Sequence, residues 1–247
     1  MPSQRPGARA AQPGFERPLV TVDVVIFTVM DERLQVLLVR RPEGEGEPFA
    51  GRAALPGGFI DVALDSSLQA CALRKLREKT GLDAPYLEQL GSWGSSTRDP
   101  RGWCATHVYF ALVPTAPGAR PGGTAASEWV DVDSALRKRL AFDHGEILAA
   151  AVERLRGKVE YTSLPAFLLP EPFTLPQLQR SYEIVLGRAI DKSAFRKRML
   201  DAQFLAEAGP IAGDAGRLAM GYRIVDRERA AVFPRTFRAT EGPAGRD

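Results

Sequence analysis

Cysteine and histidine are scarce: the 247 residues hold two of each, Cys71 and Cys104, His107 and His144. Two cysteines cannot build the disulfide framework of a small secreted fold and no metal-ligand spacing uses them, so a reducing, cytoplasmic setting is expected. With so few histidines no Ser/His/Asp constellation is evident. His107, inside an apolar run, and His144, beside a capping Asp143 at a hinge between domains, read as structural. Long apolar runs are missing as well. The strongest, 20–30, carries Asp23 and stops at Asp31-Glu32, well short of the roughly 18 residues a membrane span needs. Residues 1–18 place Arg5, Arg9 and Arg17 among Pro, Gly and Ala without an apolar stretch, which argues against a secretory signal and reads as a disordered arm. Nor does charge of one sign dominate: 33 Lys+Arg face 30 Asp+Glu for a formal +3, so its distribution matters more than its sum. What is present, 45% apolar and 26% charged residues, is the composition of a soluble chain with a real core.

From residue 19 the pattern alternates as a sheet should. Val20, Val22, Val24 and Ile26 share one face, Asp31-Glu32 makes a turn, and 34–39 form a second strand. The loop-like stretch 40–56, with Pro42, Pro48 and Pro56, ends in Gly57-Gly58, a pair that lets the backbone approach another group closely. Ser66 or Ser67 can cap a helix whose apolar positions Leu68, Cys71, Ala72 and Leu76 recur at helical spacing and which closes at Gly81. Strands follow at 86–94 and 103–113, about the turn Arg98-Asp99-Pro100-Arg101. After a Gly/Pro-rich loop, 114–123, the pattern turns helical from Asp143, which divides the chain into a domain of 19–140, a second of 141–230 and a flexible tail of 231–247. In the second domain Asp143 can cap a helix over 145–158. Thr174 and Gln177 have capping-box spacing with Pro176 in the first turn, and Gly187 ends that helix. Asp191 caps another over 192–202, and 203–206 and 218–225 read as strands around a loop at 210–217. Helix, helix, tight turn, helix and hairpin is the order of a winged helix-turn-helix. The expected fold class is α+β.

Two motifs carry chemistry. The first runs from Gly57-Gly58-Phe59-Ile60-Asp61 to Arg74-Lys75-Leu76-Arg77-Glu78-Lys79-Thr80-Gly81-Leu82 and resembles the Nudix box, Gly-x5-Glu-x7-Arg-Glu-U-x-Glu-Glu-x-Gly-U with U apolar. That family hydrolyses nucleoside diphosphates linked to another moiety, with Mg²⁺ held by glutamates along one helix face. Aligned on Arg74 and Gly81, the helical carboxylate positions here are Lys75, Glu78 and Lys79, so two of the three are reversed in charge. The earlier glutamate is absent in either register, where Leu64 or Ser66 stands, and Asp61 and Asp65 do not fill the pattern. Two ammonium groups beside one carboxylate repel a divalent cation and attract a phosphate. The resemblance therefore implies a Nudix-like α/β/α sandwich with a mixed sheet that has lost catalysis, keeps no metal site and retains nucleotide binding.

The second motif is the helix after Asp191, Lys192-Ser193-Ala194-Phe195-Arg196-Lys197-Arg198-Met199, in which Phe195 and Met199 face inward and the bases project outward. Together with Arg180 and Arg188 these bases focus positive charge where a major-groove reader of double-stranded DNA belongs, and Arg217, beside Gly216 of the wing, can add a phosphate contact. The combination resembles the NrtR family, Nudix-related transcriptional regulators of NAD metabolism, over 19–223. The matching residues include Leu55-Pro56-Gly57-Gly58-Phe59, Arg98-Asp99-Pro100-Arg101, Leu140-Ala141-Phe142-Asp143-His144, Phe173-Thr174-Leu175, Tyr182-Glu183 and Asp191-Lys192 with Phe195-Arg196. The resemblance implies a homodimeric repressor that reads a palindromic operator and binds ADP-ribose or a related NAD-derived nucleotide as effector. It assigns that ligand to Arg41, Gly57, Gly58, Phe59, Arg74, Lys75, Glu78, Lys79, Arg98 and Arg101, with Phe59 stacking on the base. DNA falls to Arg180, Arg188, Lys192, Ser193, Arg196, Lys197, Arg198 and Arg217. Arg98 and Arg101 can equally brace their turn or the junction between domains. The competing reading is an active hydrolase, an ADP-ribose pyrophosphatase whose C-terminal region only oligomerises.

Overall fold

The computed structural model describes residues 17–81, 86–115, 126–213 and 216–237. Most of the expected N-terminal arm, most of the expected Gly/Pro-rich loop (within 116–125), Leu82 of the box, residues 214–215 of the expected wing loop and the expected tail beyond 237 lie outside the described residues.

Alternation along the first strand builds two cores at once. In β1 (Leu19–Met30) the side chains of Val22, Val24 and Ile26 pack with Cys71, Ala72 and Leu76 of α1 (Leu68–Thr80). Val25 and Phe27, on the opposite face, pack in a cluster with Ile147, Leu148 and Ala151 of a long helix (His144–Val159). A strand covered on both faces is apolar almost throughout, which is what residues 20–30 show. Its hairpin partner β2 (Arg33–Arg40) pairs Met30 with Arg33, so Asp31 and Glu32 alone make the turn, at φ of 51° and 58°. Positive φ at both positions is the geometry that follows the twist of a two-residue hairpin.

Two short strands, β3 (Ala53–Ala54) and β4 (Gly57–Phe59), pair with β2 and β1; β3 interrupts the stretch 40–56 expected to be loop, and β4 follows directly after it. Strands β5 (Tyr86–Ser95) and β6 (Cys104–Leu112) complete the far side, β6 lying parallel to β1 and antiparallel to β5. A strand absent from the sequence reading, β7 (Ser127–Asp131), pairs with β2 and leads into the short α2 (Val132–Leu136). The sheet order β3-β2-β1-β6-β5, with β4 on β1 and β7 on β2, is mixed and lies between α1 and the long helix, α3 (His144–Val159).

Helix α3 faces two ways. Its Arg154 and Lys158 reach Glu88 of β5, while Arg156 donates to the Val185 carbonyl of α4 (Leu175–Leu186). The division expected at 140/141 therefore falls just ahead of a helix that packs with both parts. Beyond it come a 3-10 turn (Leu164–Leu168), the two-residue β8 (Phe173–Thr174), α4, α5 (Lys192–Asp201), β9 (Leu205–Ala212) and β10 (Leu218–Ile224), with sheet order β8-β10-β9. The hairpin is longer than expected, because β9 continues through Pro210 into what read as wing loop. The expected flexible tail needs correction over 231–237: Val232 bridges to Thr162, and Phe233 and Phe237 are buried. No helix among the described residues is long and apolar enough to cross a membrane.

Candidate functional site

A cleft of about 420 Å³ opens where β1, the β2 end, β3, β4 and the 98–101 turn meet the start of α3. Its existence depends on Gly57. A Cβ there would stand 1.9 Å from the Asp23 carboxylate and 2.7 Å from the Val22 carbonyl, so only glycine lets β4 lie against β1 at this point. The close approach expected of Gly57 is thus to a buried acid of the protein itself. Gly58, at φ 147°, lies over the Lys75 ammonium.

The floor is a buried polar cluster. Asp23 accepts a 2.7 Å hydrogen bond from the Thr106 hydroxyl and has the Arg98 guanidinium and His144 Nε2 each at 3.7 Å. Arg98 donates through Nε and a terminal nitrogen to both oxygens of Asp143, at 2.8 Å each, and through the other to Cys104 Sγ at 3.2 Å. Asp143 stands at the N-cap of α3 as expected, yet its side chain makes no cap bond because Arg98 has taken it. His144 Nδ1 accepts the Leu55 N–H at 2.9 Å, which places the ring proton on Nε2, toward Asp23. Burial pushes the His144 pKa down against the pull of Asp23 and Asp143, so the ring is neutral at pH 7.

The rim is cationic and aromatic. Arg41 donates to Glu47 and to the Pro48 carbonyl with its guanidinium 4.8 Å from the Phe142 ring centre. Arg101 is held by both oxygens of the buried Asp99 and lies 5.1 Å from the centre of the Phe59 ring, which is 44% exposed. Lys79 completes the rim. Fixed guanidinium groups beside an exposed aromatic ring suit a ligand that carries both negative charge and a ring to stack.

Of the ten residues assigned to the ligand, Arg41, Gly57, Gly58, Phe59, Lys79, Arg98 and Arg101 line this cleft; Arg74, Lys75 and Glu78 do not. Arg74 is instead engaged by Asp65, at 2.7 and 2.5 Å, and by Glu78 one turn along, at 2.8 Å. Those bonds to Arg74 hold the Asp65 carboxyl far below the usual carboxylate range. The second Glu78 oxygen lies 3.7 Å from Lys75. Asp65 and Glu78 are therefore paired with cations, and among the described residues no three His, Cys, Asp or Glu side chains gather as metal ligands. Sequence reasoning missed Asp23, Phe142 and the part played by Asp143. The signal for Asp23 was a lone acid in the middle of an apolar strand.

The basic face lies on α5. Phe195 and Met199 are buried, and Lys192, Ser193, Arg196 and Lys197 are exposed, with Lys197 bonded to Asp201 at 2.6 Å. Arg217 is exposed on the wing. Three other expected contacts are engaged within the chain: Arg180 pairs with Glu32 of the β1–β2 turn, Arg188 with Glu160 at 2.7 Å, and Arg198 with the Thr236 carbonyl at 2.6 Å.

Family models match two stretches, a NUDIX domain over 19–151 and an NrtR DNA-binding winged helix domain over 165–224. The chain is 45% identical over 222 residues to the ADPR responsive transcriptional repressor NtrR of Acinetobacter baylyi, covering 90% of this chain and 88% of that protein. It is 32% identical over 134 residues to an ADP-ribose pyrophosphatase of Methanocaldococcus jannaschii, covering 54% of this chain and 73% of that one. Among solved structures, Shewanella oneidensis NrtR complexed with a 27mer DNA superposes with a TM-score of 0.80 at 40% identity, over 89% of this chain and 99% of that chain. The NUDIX domain of the same protein complexed with ADP ribose matches with a TM-score of 0.50 at 43% identity, over 57% of this chain and 90% of that chain.

Proposed function

Because the chain belongs to the NrtR family, a Nudix domain joined to an NrtR DNA-binding winged helix domain, we propose that it is a transcriptional repressor of NAD-related genes whose Nudix cleft senses ADP-ribose or a related nucleotide. The observation that carries this is the helix α3, which touches both candidate surfaces. At its first turn Asp143 and His144 form part of the cleft floor, and past its last turn Glu160 holds Arg188, between the two helices of the DNA-reading unit.

Sixteen residues of helix span about 24 Å as one rigid element. In our reading the diphosphate meets Lys79, Arg41 and Arg101, and the adenine stacks on Phe59. Occupancy redistributes the Arg98 bonds at Asp143 and shifts α3, which carries the winged units away from the spacing of their half-sites. DNA is read by Lys192, Ser193, Arg196 and Lys197 of α5, with Arg217 at the wing. The chain works in the cytoplasm as a homodimer, its two-fold axis matched to a palindromic operator.

The cleft is a receptor in this reading and not an active site. Lys75 and Lys79 stand where the hydrolases of the family place glutamates, and Glu78 is tied to Arg74 and Lys75. The test is fluorescence anisotropy of a duplex taken from upstream of the gene's own operon, against a nonspecific duplex, with and without ADP-ribose. Specific binding that ADP-ribose weakens is expected; specific binding indifferent to ADP-ribose overturns the sensing role. The likeness to an ADP-ribose pyrophosphatase keeps the hydrolase as second reading. Magnesium-dependent release of AMP from ADP-ribose would establish it.

A further inference from the structure

The winged helix match ends at residue 224, yet the described chain continues and turns back onto that domain. Residues 231–233 lie beside 161–163: the Ser163 N–H donates to the Ala231 carbonyl at 2.9 Å, the Phe233 N–H to the Tyr161 carbonyl at 2.7 Å, and the Ala231 N–H to the Ser163 hydroxyl at 2.8 Å. The chain then crosses behind α5. Phe237 is buried, meets Tyr182 edge-on with centres 5.4 Å apart, and stacks on Phe195 at 6.0 Å and 18°. Arg198 covers the Phe237 ring, its guanidinium carbon 3.9 Å from the centre, and donates to the Thr236 carbonyl at 2.6 Å and the Glu160 carbonyl at 3.5 Å. Arg188 adds a bond to the Phe237 carbonyl at 3.4 Å.

Two side chains of the reading helix, Phe195 and Arg198, are thus gripped by one aromatic residue from the end of the described chain. A planar guanidinium that stacks on a ring while two of its nitrogens donate to carbonyls is held in place by the protein itself. We infer that residues 231–237 are a strap that sets the position of α5, and that Phe237 and Arg198 are positioning residues, Arg198 making no phosphate contact despite its place in a basic run. The inference rests on the reading of α5 as the DNA-facing helix, and it divides the basic run by role: Arg196 reaches DNA, Arg198 holds the helix that carries it.

The salt dependence of binding distinguishes these roles, because each phosphate that the protein neutralises contributes about 0.9 to the slope of log K against log salt. For R196A the affinity and the slope both fall. For R198A the affinity falls about tenfold, the size of a missing stacked cation, with the slope unchanged. R198K keeps the charge but not the planar stack, so it behaves as R198A does. Hydrogen exchange of the DNA-free full chain supplies a readout that does not need DNA: in R198K and F237A the amides of 192–201 exchange faster, while those of α1 do not. A smaller slope for R198A that R198K restores, or unchanged exchange over 192–201 in R198K, overturns the strap. Absence of specific binding by the unaltered protein counts against the DNA reading instead, and the exchange measurement still decides whether the strap holds α5.

Discussion

At the scale of single residues, the site turns on groups whose partners are far away in sequence. Asp23 is answered by Arg98, Thr106 and His144, and His144 is kept neutral by burial while Asp143, Asp23, Arg98 and Arg41 surround it. This has a consequence for pH. The folded ring resists a proton that the unfolded ring accepts near pH 6.5, so below that value the unfolded state binds more protons and stability falls with falling pH. Above it the contribution is complete. His144→Asn, which keeps an acceptor for the Leu55 N–H, is expected to flatten the loss between neutral pH and pH 5 in urea unfolding; an unchanged profile would assign the acid sensitivity elsewhere. Little of this was legible in the sequence, where Asp23 showed only as a lone acid in an apolar strand and His144 only as a structural residue beside a cap. Arg74 misled for the opposite reason. It fits the box, but its strongest partner, Asp65, sits only nine residues before it, and that local pair keeps it from the cleft.

Elements whose ends are set by local chemistry were legible in the residues themselves. Ser67 accepts the Ala70 N–H, Gly81 and Gly187 close their helices in the left-handed conformation, and Thr174 with Gln177 forms both bonds of a capping box. Replacing Thr174 by Ala removes the side-chain half of that box and is expected to cost about 1 kcal/mol. In a chain of this size that is a fall of roughly 2–4 °C in Tm, measurable by calorimetry. A wing that still pairs residue 174 with Gly221 would keep its strand signals in NMR. Elements set by distant pairing were not legible. Strand β7 exists because β2 offers it an edge. Strand β9 extends through Pro210, which the sequence argued was loop, because β9 is itself an edge of its sheet, where a missing N–H costs no ladder bond.

On the scale of the molecule, both domain types and their order were readable from the switch between strand and helix patterns, while the dividing line was not. Helix α3 begins at the cleft floor and ends beside the reading unit, and one continuous core cluster includes Phe27 of the sheet, Leu155 of α3 and Tyr182 of α4. If α3 transmits occupancy, Glu160→Gln should loosen Arg188 and reduce the factor by which ADP-ribose weakens DNA binding. Each separate affinity should change less than that factor does. By linkage, the factor by which DNA weakens ADP-ribose binding must shrink equally; calorimetric titration with and without operator checks it, and an unaltered factor would exclude Glu160 from the coupling. The two buried thiols keep time for the same molecule. Cys104 accepts a bond from the Arg98 guanidinium at the cleft floor, and Cys71 sits on the buried face of α1, packed against β1 in the opposite core. A thiol reagent reaches each only when its own cover lifts. Once each rate is corrected for its thiol's acidity, which burial weakens at Cys71, the two alkylation rates compare how often the cleft floor opens with how often α1 lifts from the sheet.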